Sequence, residues 1–340
     1  MIVKPTTLLF PLLLLFLLRK STVHAESQQL PEEGGPTLHL NDGNEMPMIG
    51  MGTYQATPGE QAYITVQWAL ERGYRLIDTA ADYKNEVDVG RAIADSGIPR
   101  EKIFVTTKLD TTSHGYEKAL AATDECLERL GTDYIDLLLI HSPFGGKIVE
   151  TWDALVQLQK DDKVKSIGVS NFGIPHLKAI QDYGRPLPVV NQIEMHPLNY
   201  DERKELRIWC TQNLIRITAY GSLFGGESDR YKKDSMLNYL AKKYKKTVPQ
   251  ILLRWAIDSN FAVIPKASSS KERVQENFDI LDFKLDPQEV RVICEMPGNP
   301  IKKYWNPIND AEVDIGDTSH GINLKFMQDE LWTRFNYNGS

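Results

Sequence analysis

Three successive stretches govern the reading of this chain: Phe104-Val-Thr-Thr-Lys108, Tyr116–Leu130, and Tyr134-Ile-Asp-Leu-Leu-Leu-Ile-His141. The outer two are short apolar runs of strand length, each closing on a polar residue. The middle stretch is amphipathic at helical spacing over about four turns. Strand, helix, strand is the unit of a parallel sheet, because a parallel return needs a crossover connection. The same alternation continues in both directions. Further strand-like runs lie at Met48–Gly52, Arg75–Asp78, Val164–Ser170, Val189–Glu194, Arg216–Tyr220 and Ala262–Pro265. Helical patterns fall near Gln61–Glu71, Asn85–Ser96, Val149–Asp161, Pro175–Tyr183, Glu202–Gln212, Ser235–Tyr244, Pro249–Ile257 and Lys271–Asp279. Eight strands alternating with helices predict a single α/β domain, a (β/α)8 TIM barrel. A doubly wound sheet shares the alternation, but no G-x-G-x-x-G follows the first strand. Ahead of the barrel, Thr37–Pro47 predicts a small hairpin turning at Asp42-Gly43.

Composition narrows the function. The 340 residues carry 39 Lys and Arg against 46 Asp and Glu, a formal charge of −7. An acidic chain without a basic block is a poor nucleic-acid binder, since phosphate neutralisation needs clustered cations. Hydrophobic residues make up 41%, enough for a large core. Cys126, Cys210 and Cys294 form neither a disulfide framework nor a C-x-x-C motif and read as small buried hydrophobes. The histidines show no ligand spacing, so no metal site is expected.

The N-terminus reads differently. Lys4 precedes the run Leu8–Leu18, and Val23-His-Ala25 follows a short polar stretch. These are the three regions of a secretory signal peptide. Eleven residues in helix rise only about 16 Å, well short of a bilayer core of roughly 30 Å. Arg19 and Lys20, beyond the run, leave an uncleaved signal anchor as the alternative, and only then is a membrane contact expected. The expected organisation is therefore residues 1–25 signal peptide or anchor, 26–36 linker, 37–296 barrel, and 297–340 a C-terminal segment. The expected location is the endoplasmic reticulum lumen, with secretion or another organelle of the secretory pathway as alternatives.

In a barrel of this kind, working side chains sit at the C-terminal ends of strands. Asp78 closes the second run, Lys108 the third, His141 the fourth, Ser170 the fifth and Tyr220 the seventh. Gln192 and Glu194 end the sixth, and Lys266 follows the eighth. An Asp, a Lys and a His ending three consecutive parallel strands, with Tyr83 five residues past the Asp, make a constellation rather than three solvated loop starts.

With these residues in place, the chain resembles the aldo-keto reductase family over about Leu38–Met296. The resemblance rests on Met51-Gly-Thr-Tyr54, Gly73-Tyr-Arg-Leu-Ile-Asp-Thr-Ala-Ala-Asp-Tyr83, Val105-Thr-Thr-Lys108 and Asp136-Leu-Leu-Leu-Ile-His-Ser-Pro143. It continues through Ile167-Gly-Val-Ser-Asn-Phe172, Val190-Asn-Gln-Ile-Glu-Met-His-Pro197, Ile264-Pro-Lys266 and Arg273-Val-Gln-Glu-Asn277. It implies reduction of an aldehyde or ketone by NADPH, without metal, in a monomer acting on a small carbonyl substrate. Asp78, Tyr83, Lys108 and His141 match the family's catalytic tetrad. Thr53, Ser170, Asn171, Gln192, Tyr220, Ser222 and Leu223 match contacts to the nicotinamide and pyrophosphate. Lys266, Arg273, Glu276 and Asn277 match contacts to the adenosine 2′-phosphate and adenine. Tyr54, Asp110, Phe144 and Trp305 are candidates to line the substrate cleft.

The chemistry is coherent without the resemblance. Hydride arriving at a carbonyl carbon leaves charge on oxygen, where a proton must be supplied. A phenol can supply it, but its ordinary pKa near 10 is mismatched to neutral pH. A neighbouring cation should lower that pKa, the role the resemblance gives Lys108, with Asp78 keeping the ammonium charged. The same tetrad would serve an oxidative hydroxyl dehydrogenase, and a non-catalytic, NADPH-binding redox sensor is a third reading. Two departures stand out. Ala267 replaces the family's frequent Ser, and the loop Ser142-Pro-Phe-Gly-Gly146 is short, which predicts an open pocket.

Overall fold

The computed structural model describes residues 33–226, 231–267, 270–296, 308 and 311–319. The chain divides into Met1–Leu30, which lies outside the described residues, and Pro31–Ser340. In the second unit a hairpin comes first. Strands β1 (Thr37–His39) and β2 (Glu45–Pro47) pair antiparallel, Leu38 opposite Met46. Gly43 takes φ 91° at the turn, as the Asp-Gly signal requires. Asn44 Nδ2 then donates to the Lys165 carbonyl and Ser166 Oγ, while Arg216 Nε donates to the His39 carbonyl. Those partners start barrel strands, so the hairpin is seated on their N-terminal ends.

Eight parallel strands follow: β3 (Met51–Gly52), β4 (Leu76–Asp78), β5 (Phe104–Leu109), β6 (Ile135–Ile140), β7 (Val164–Ser170), β8 (Val190–Glu194), β9 (Arg216–Tyr220) and β10 (Ala262–Val263). Each hydrogen-bonds to its sequence neighbour, in the order β10-β9-β8-β7-β6-β5-β4-β3. A parallel bridge between Ile49 and Val263, with Gly50 N donating to the Val263 carbonyl at 2.8 Å, joins the first strand to the last. A Cβ on Gly52 would stand 2.6 Å from the Ile264 carbonyl oxygen, so this seam admits only glycine. The strands read as near-continuous apolar runs because both faces are covered, by interior side chains and by helices. Leu137 through Ile140, for example, are all buried.

The nine expected helices are present, most within one or two residues of the sequence boundaries. Among the described residues a further helix, Pro287–Cys294, lies beyond those expected. Asp286 and Glu289 cap it reciprocally and Pro287 opens it, but Ile293 is its only buried residue. With so narrow an apolar face its periodicity is weak, although the Asp-Pro-Gln-Glu start was readable. The described part of the C-terminal segment, 311–319, packs along the barrel's outer helices. Ile148 N donates to the Asp314 carbonyl at 2.8 Å, His176 Nε2 lies 2.9 Å from the Ala311 carbonyl, and Glu150 accepts from Asp317 N at 3.0 Å. Trp305 lies outside the described residues. No helix among the described residues is long and apolar enough to cross a membrane.

Candidate active site

Because all eight strands run one way, their C-terminal ends share one face. There Asp78 ends β4, Lys108 is the last but one residue of β5, and His141 follows β6 directly. Tyr83 is brought to them by the short helical turn Ala81–Tyr83 that leaves β4. Lys108 is fully buried. Its Nζ donates to Asp78 Oδ1 at 2.6 Å and to the Thr79 carbonyl at 2.8 Å, and reaches the Tyr83 hydroxyl at 3.5 Å. The second carboxylate oxygen of Asp78 accepts from Gln192 Nε2 at 2.7 Å. Both oxygens are thus committed, and the ammonium is fixed by a charge-assisted bond. The Tyr83 ring is stacked obliquely on Tyr54, centroids 5.2 Å apart, and meets the His141 ring edge-on at 5.7 Å.

Electrostatics assign the protons. Burial, seconded by the Asp78 carboxylate, holds the Tyr83 phenol well above its usual range. Burial, with the Asp78 charge behind it, outweighs the lowering expected from Lys108. The hydroxyl is therefore protonated at neutral pH. Burial lowers the Lys108 ammonium from its ordinary value and Asp78 opposes the shift. Burial and then Lys108 push His141 down to about 3. Its Nδ1 lies 3.6 Å from Asp82 Oδ2, but a neutral imidazole makes no ion pair there. Asp110 is raised by burial, yet its bonds from Thr112 and Ser113 outweigh this and hold it below its ordinary value.

A second wall runs along β7 to β10. Ser170 Oγ donates to the Gln192 carbonyl at 2.8 Å, and Asn171 Nδ2 donates to the His141 carbonyl at 3.0 Å. The Tyr220 hydroxyl donates to Asn171 Oδ1 at 2.7 Å, which fixes the ring at the end of β9. Ser222 and Leu223 lie in the loop that follows, where Gly221, Phe224 and Gly225 all take positive φ. Across the β3–β10 seam, Lys266 donates to Gln55 Oε1 and its Nζ lies 5.5 Å from the Tyr54 ring centroid. Arg273 is exposed in the first turn of the helix Lys271–Phe278, with Ser270 capping that helix. A cation beside a capped helix N-terminus suits a phosphate. Tyr54 and Phe144 are exposed aromatics on loops of the same face.

Residues 48–296 match the model of the aldo/keto reductase family. The chain belongs to the aldo-keto reductase family. It is 45% identical over 257 residues to a 9,11-endoperoxide prostaglandin H2 reductase of Trypanosoma cruzi, spanning 76% of this chain and 90% of that protein. It is 41% identical over 261 residues to a glyoxal reductase of Bacillus subtilis, spanning 77% and 92%. Among solved structures, an aldo-keto reductase of Bombyx mori in complex with NADP is similar with a TM-score of 0.74 at 35% identity, over 83% of this chain and 99% of that one.

Within this aldo-keto reductase, several residues expected at the cofactor also bond to the protein itself. Thr53 is fully buried and gives both its amide and its hydroxyl to the Asp78 carbonyl, at 2.9 and 3.0 Å. Gln192 holds Asp78 through its amide nitrogen. Glu276 accepts from Thr247 Oγ1, and Asn277 is buried. The hub of the tetrad loop went unread in the sequence. Asn85 is fully buried, accepts from Thr79 Oγ1 at 2.8 Å, and donates to the Thr53 and Ala56 carbonyls at 3.1 and 3.2 Å. Next to it the buried Glu86 accepts from Thr107 Oγ1 and Arg129 Nε. Asn85-Glu86 at a helix start reads as an ordinary cap, and only the tertiary structure turns both side chains inward. Among the described residues no cluster of His, Cys, Asp and Glu could hold a metal.

Proposed function

We propose that this aldo-keto reductase reduces a small aldehyde or ketone to the alcohol with NADPH, and that Tyr83 delivers the proton. The observation that carries the reading is a protonated phenol 3.5 Å from an ammonium that Asp78 holds in place. The residues fit the cofactor: a fixed aromatic ring at Tyr220, a positive-φ loop over 221–225, and two cations beyond β10. Bound NADPH would supply hydride to the carbonyl carbon. Tyr83 and the neutral His141 would each donate a hydrogen bond to the carbonyl oxygen, orienting it. As charge develops there, Tyr83 passes its proton and Lys108 stabilises the phenolate left behind. Asp78 keeps Lys108 charged throughout. Tyr54 and Phe144 would form apolar walls at the mouth, and relatives named for glyoxal and methylglyoxal make small 2-oxoaldehydes the first substrates to assay.

Tyr83→Phe tests this. Turnover should fall by about 10²–10⁴, the usual worth of general acid catalysis, with NADPH affinity unchanged. Retention of more than about a tenth of parental turnover would sink the assignment. We also propose that residues 1–25 direct the chain into the secretory pathway, with a mature enzyme beginning near Glu26 working in the endoplasmic reticulum lumen. The support is the Leu8–Leu18 run between Lys4 and Val23-His-Ala25.

A further inference from the structure

The cation placed at the adenosine phosphate is already engaged by the wall of the substrate cleft. Lys266 Nζ donates to Gln55 Oε1 and sits 5.5 Å from the centroid of the Tyr54 ring. Among the described residues no carboxylate pairs with Lys266, whereas Lys271 nearby is held by Glu71 at 2.8 Å. The Gln55 side chain is exposed, but the turn that carries it is held. Asn85 clamps the carbonyls on either side of it, at Thr53 and Ala56, and Ala56 N closes the turn onto the Thr53 carbonyl at 2.9 Å. Gln55 itself is held at φ 62°, in the left-handed region, so its side chain leaves the turn in a direction the backbone dictates.

We infer that Gln55 competes with the cofactor's 2′-phosphate for Lys266 and is a cofactor-selectivity residue of this enzyme. The inference rests on the reading of Lys266 as a phosphate ligand. A phosphate that draws Lys266 Nζ off Gln55 and the Tyr54 ring meets a competitor there, so the affinity for NADPH is reduced by the fraction of molecules in which that bond is made. NADH carries no 2′-phosphate and leaves the bond intact. The turn therefore disfavours NADPH alone, and removing the glutamine amide should raise the preference for NADPH. A net hydrogen bond corresponds to roughly two- to tenfold in affinity.

The experiment is fluorescence titration of NADPH and NADH with the full chain, Gln55→Ala, Lys266→Met and the double variant. Gln55→Asn is added because Asn tolerates left-handed φ yet is one methylene too short to reach Lys266. Gln55→Ala and Gln55→Asn should bind NADPH about two- to tenfold tighter with NADH unchanged, and the gain should vanish on Lys266→Met. Unchanged NADPH binding overturns the inference. So does equal weakening of both cofactors, which would make Gln55 a direct ligand, or a gain that persists without Lys266. If Lys266→Met leaves the NADPH-to-NADH ratio unaltered, the phosphate assignment itself has failed, and that result is separable from the others.

Discussion

Asp78→Asn should make stability and activity respond to pH in opposite directions. The parent carboxylate accepts from Lys108 Nζ at 2.6 Å and Gln192 Nε2 at 2.7 Å, in a site where Lys108 is fully buried. An amide of the same shape keeps one acceptor and loses the charge. The ammonium then has two courses. Staying charged without its partner costs about 3–5 kcal/mol, the usual result of breaking a buried pair. Shedding its proton is the course burial favours, because burial already lowers the Lys108 ammonium and the Asp78 carboxylate is what opposes that shift. The folded variant would thus lack a proton that the unfolded chain holds up to about pH 10. Stability relative to the parent should rise with pH up to that limit, by about 1.4 kcal/mol per unit, and be lost toward acid. Activity should run the other way. A neutral amine cannot stabilise the Tyr83 phenolate, so turnover relative to the parent should fall as pH rises and recover toward acid. Urea unfolding and kcat/KM of both proteins in matched buffers from pH 6 to 9 measure the two slopes. A stability difference that is flat across the range would refute the claim that Asp78 keeps Lys108 charged.

Other outcomes follow from the same geometry. Burial holds His141 at about 3, against 6.5 when unfolded, so folding excludes a proton and stability should fall as pH drops below 6.5. His141→Gln should flatten that acid limb in urea unfolding at pH 4 and 7; an unchanged limb would show that the imidazole titrates normally. Lys266→Ala combined with Arg273→Ala should weaken NADPH at least about tenfold and leave NADH nearly unaltered, since charge-assisted contacts contribute roughly 1.5–3 kcal/mol each. Equal affinity of the unaltered protein for the two cofactors would refute phosphate recognition. Sequencing of the mature N-terminus and protease protection in microsomes check the proposed compartment. Digestion without detergent, in a full-length protein that fractionates with cytosol, would defeat it.

Sequence periodicity carried the barrel because it is a local property. Strands β5 to β9 and the helices between them follow from runs a few residues long, read at periods near two and 3.6. The narrow-faced helix Pro287–Cys294 escaped for the converse reason, having little buried surface to leave a pattern. The tetrad was legible one step further up. Once all strands are parallel, whatever ends them must meet at one face, so Asp78, Lys108 and His141 could be brought together without coordinates.

Partnership was not legible, because hydrogen bonds in this site join residues far apart in the chain. Gln192 reaches Asp78 across 114 positions and Lys266 reaches Gln55 across 211. The resemblance alone names Gln192 and Thr53 as cofactor contacts, and the structure adds that Gln192 Nε2 also donates to the Asp78 carboxylate and Thr53 to the Asp78 carbonyl. The proton on Tyr83 is likewise a tertiary result. The role the resemblance gives Lys108 predicts a lowered phenol, but burial and then the Asp78 carboxylate decide the direction. The sequence by itself determined the fold class and the residues gathered at its mouth, since chain direction and side-chain period need only neighbours. The tertiary structure decided which donor meets which acceptor and where each proton resides, since those depend on distance and dielectric across the assembled barrel.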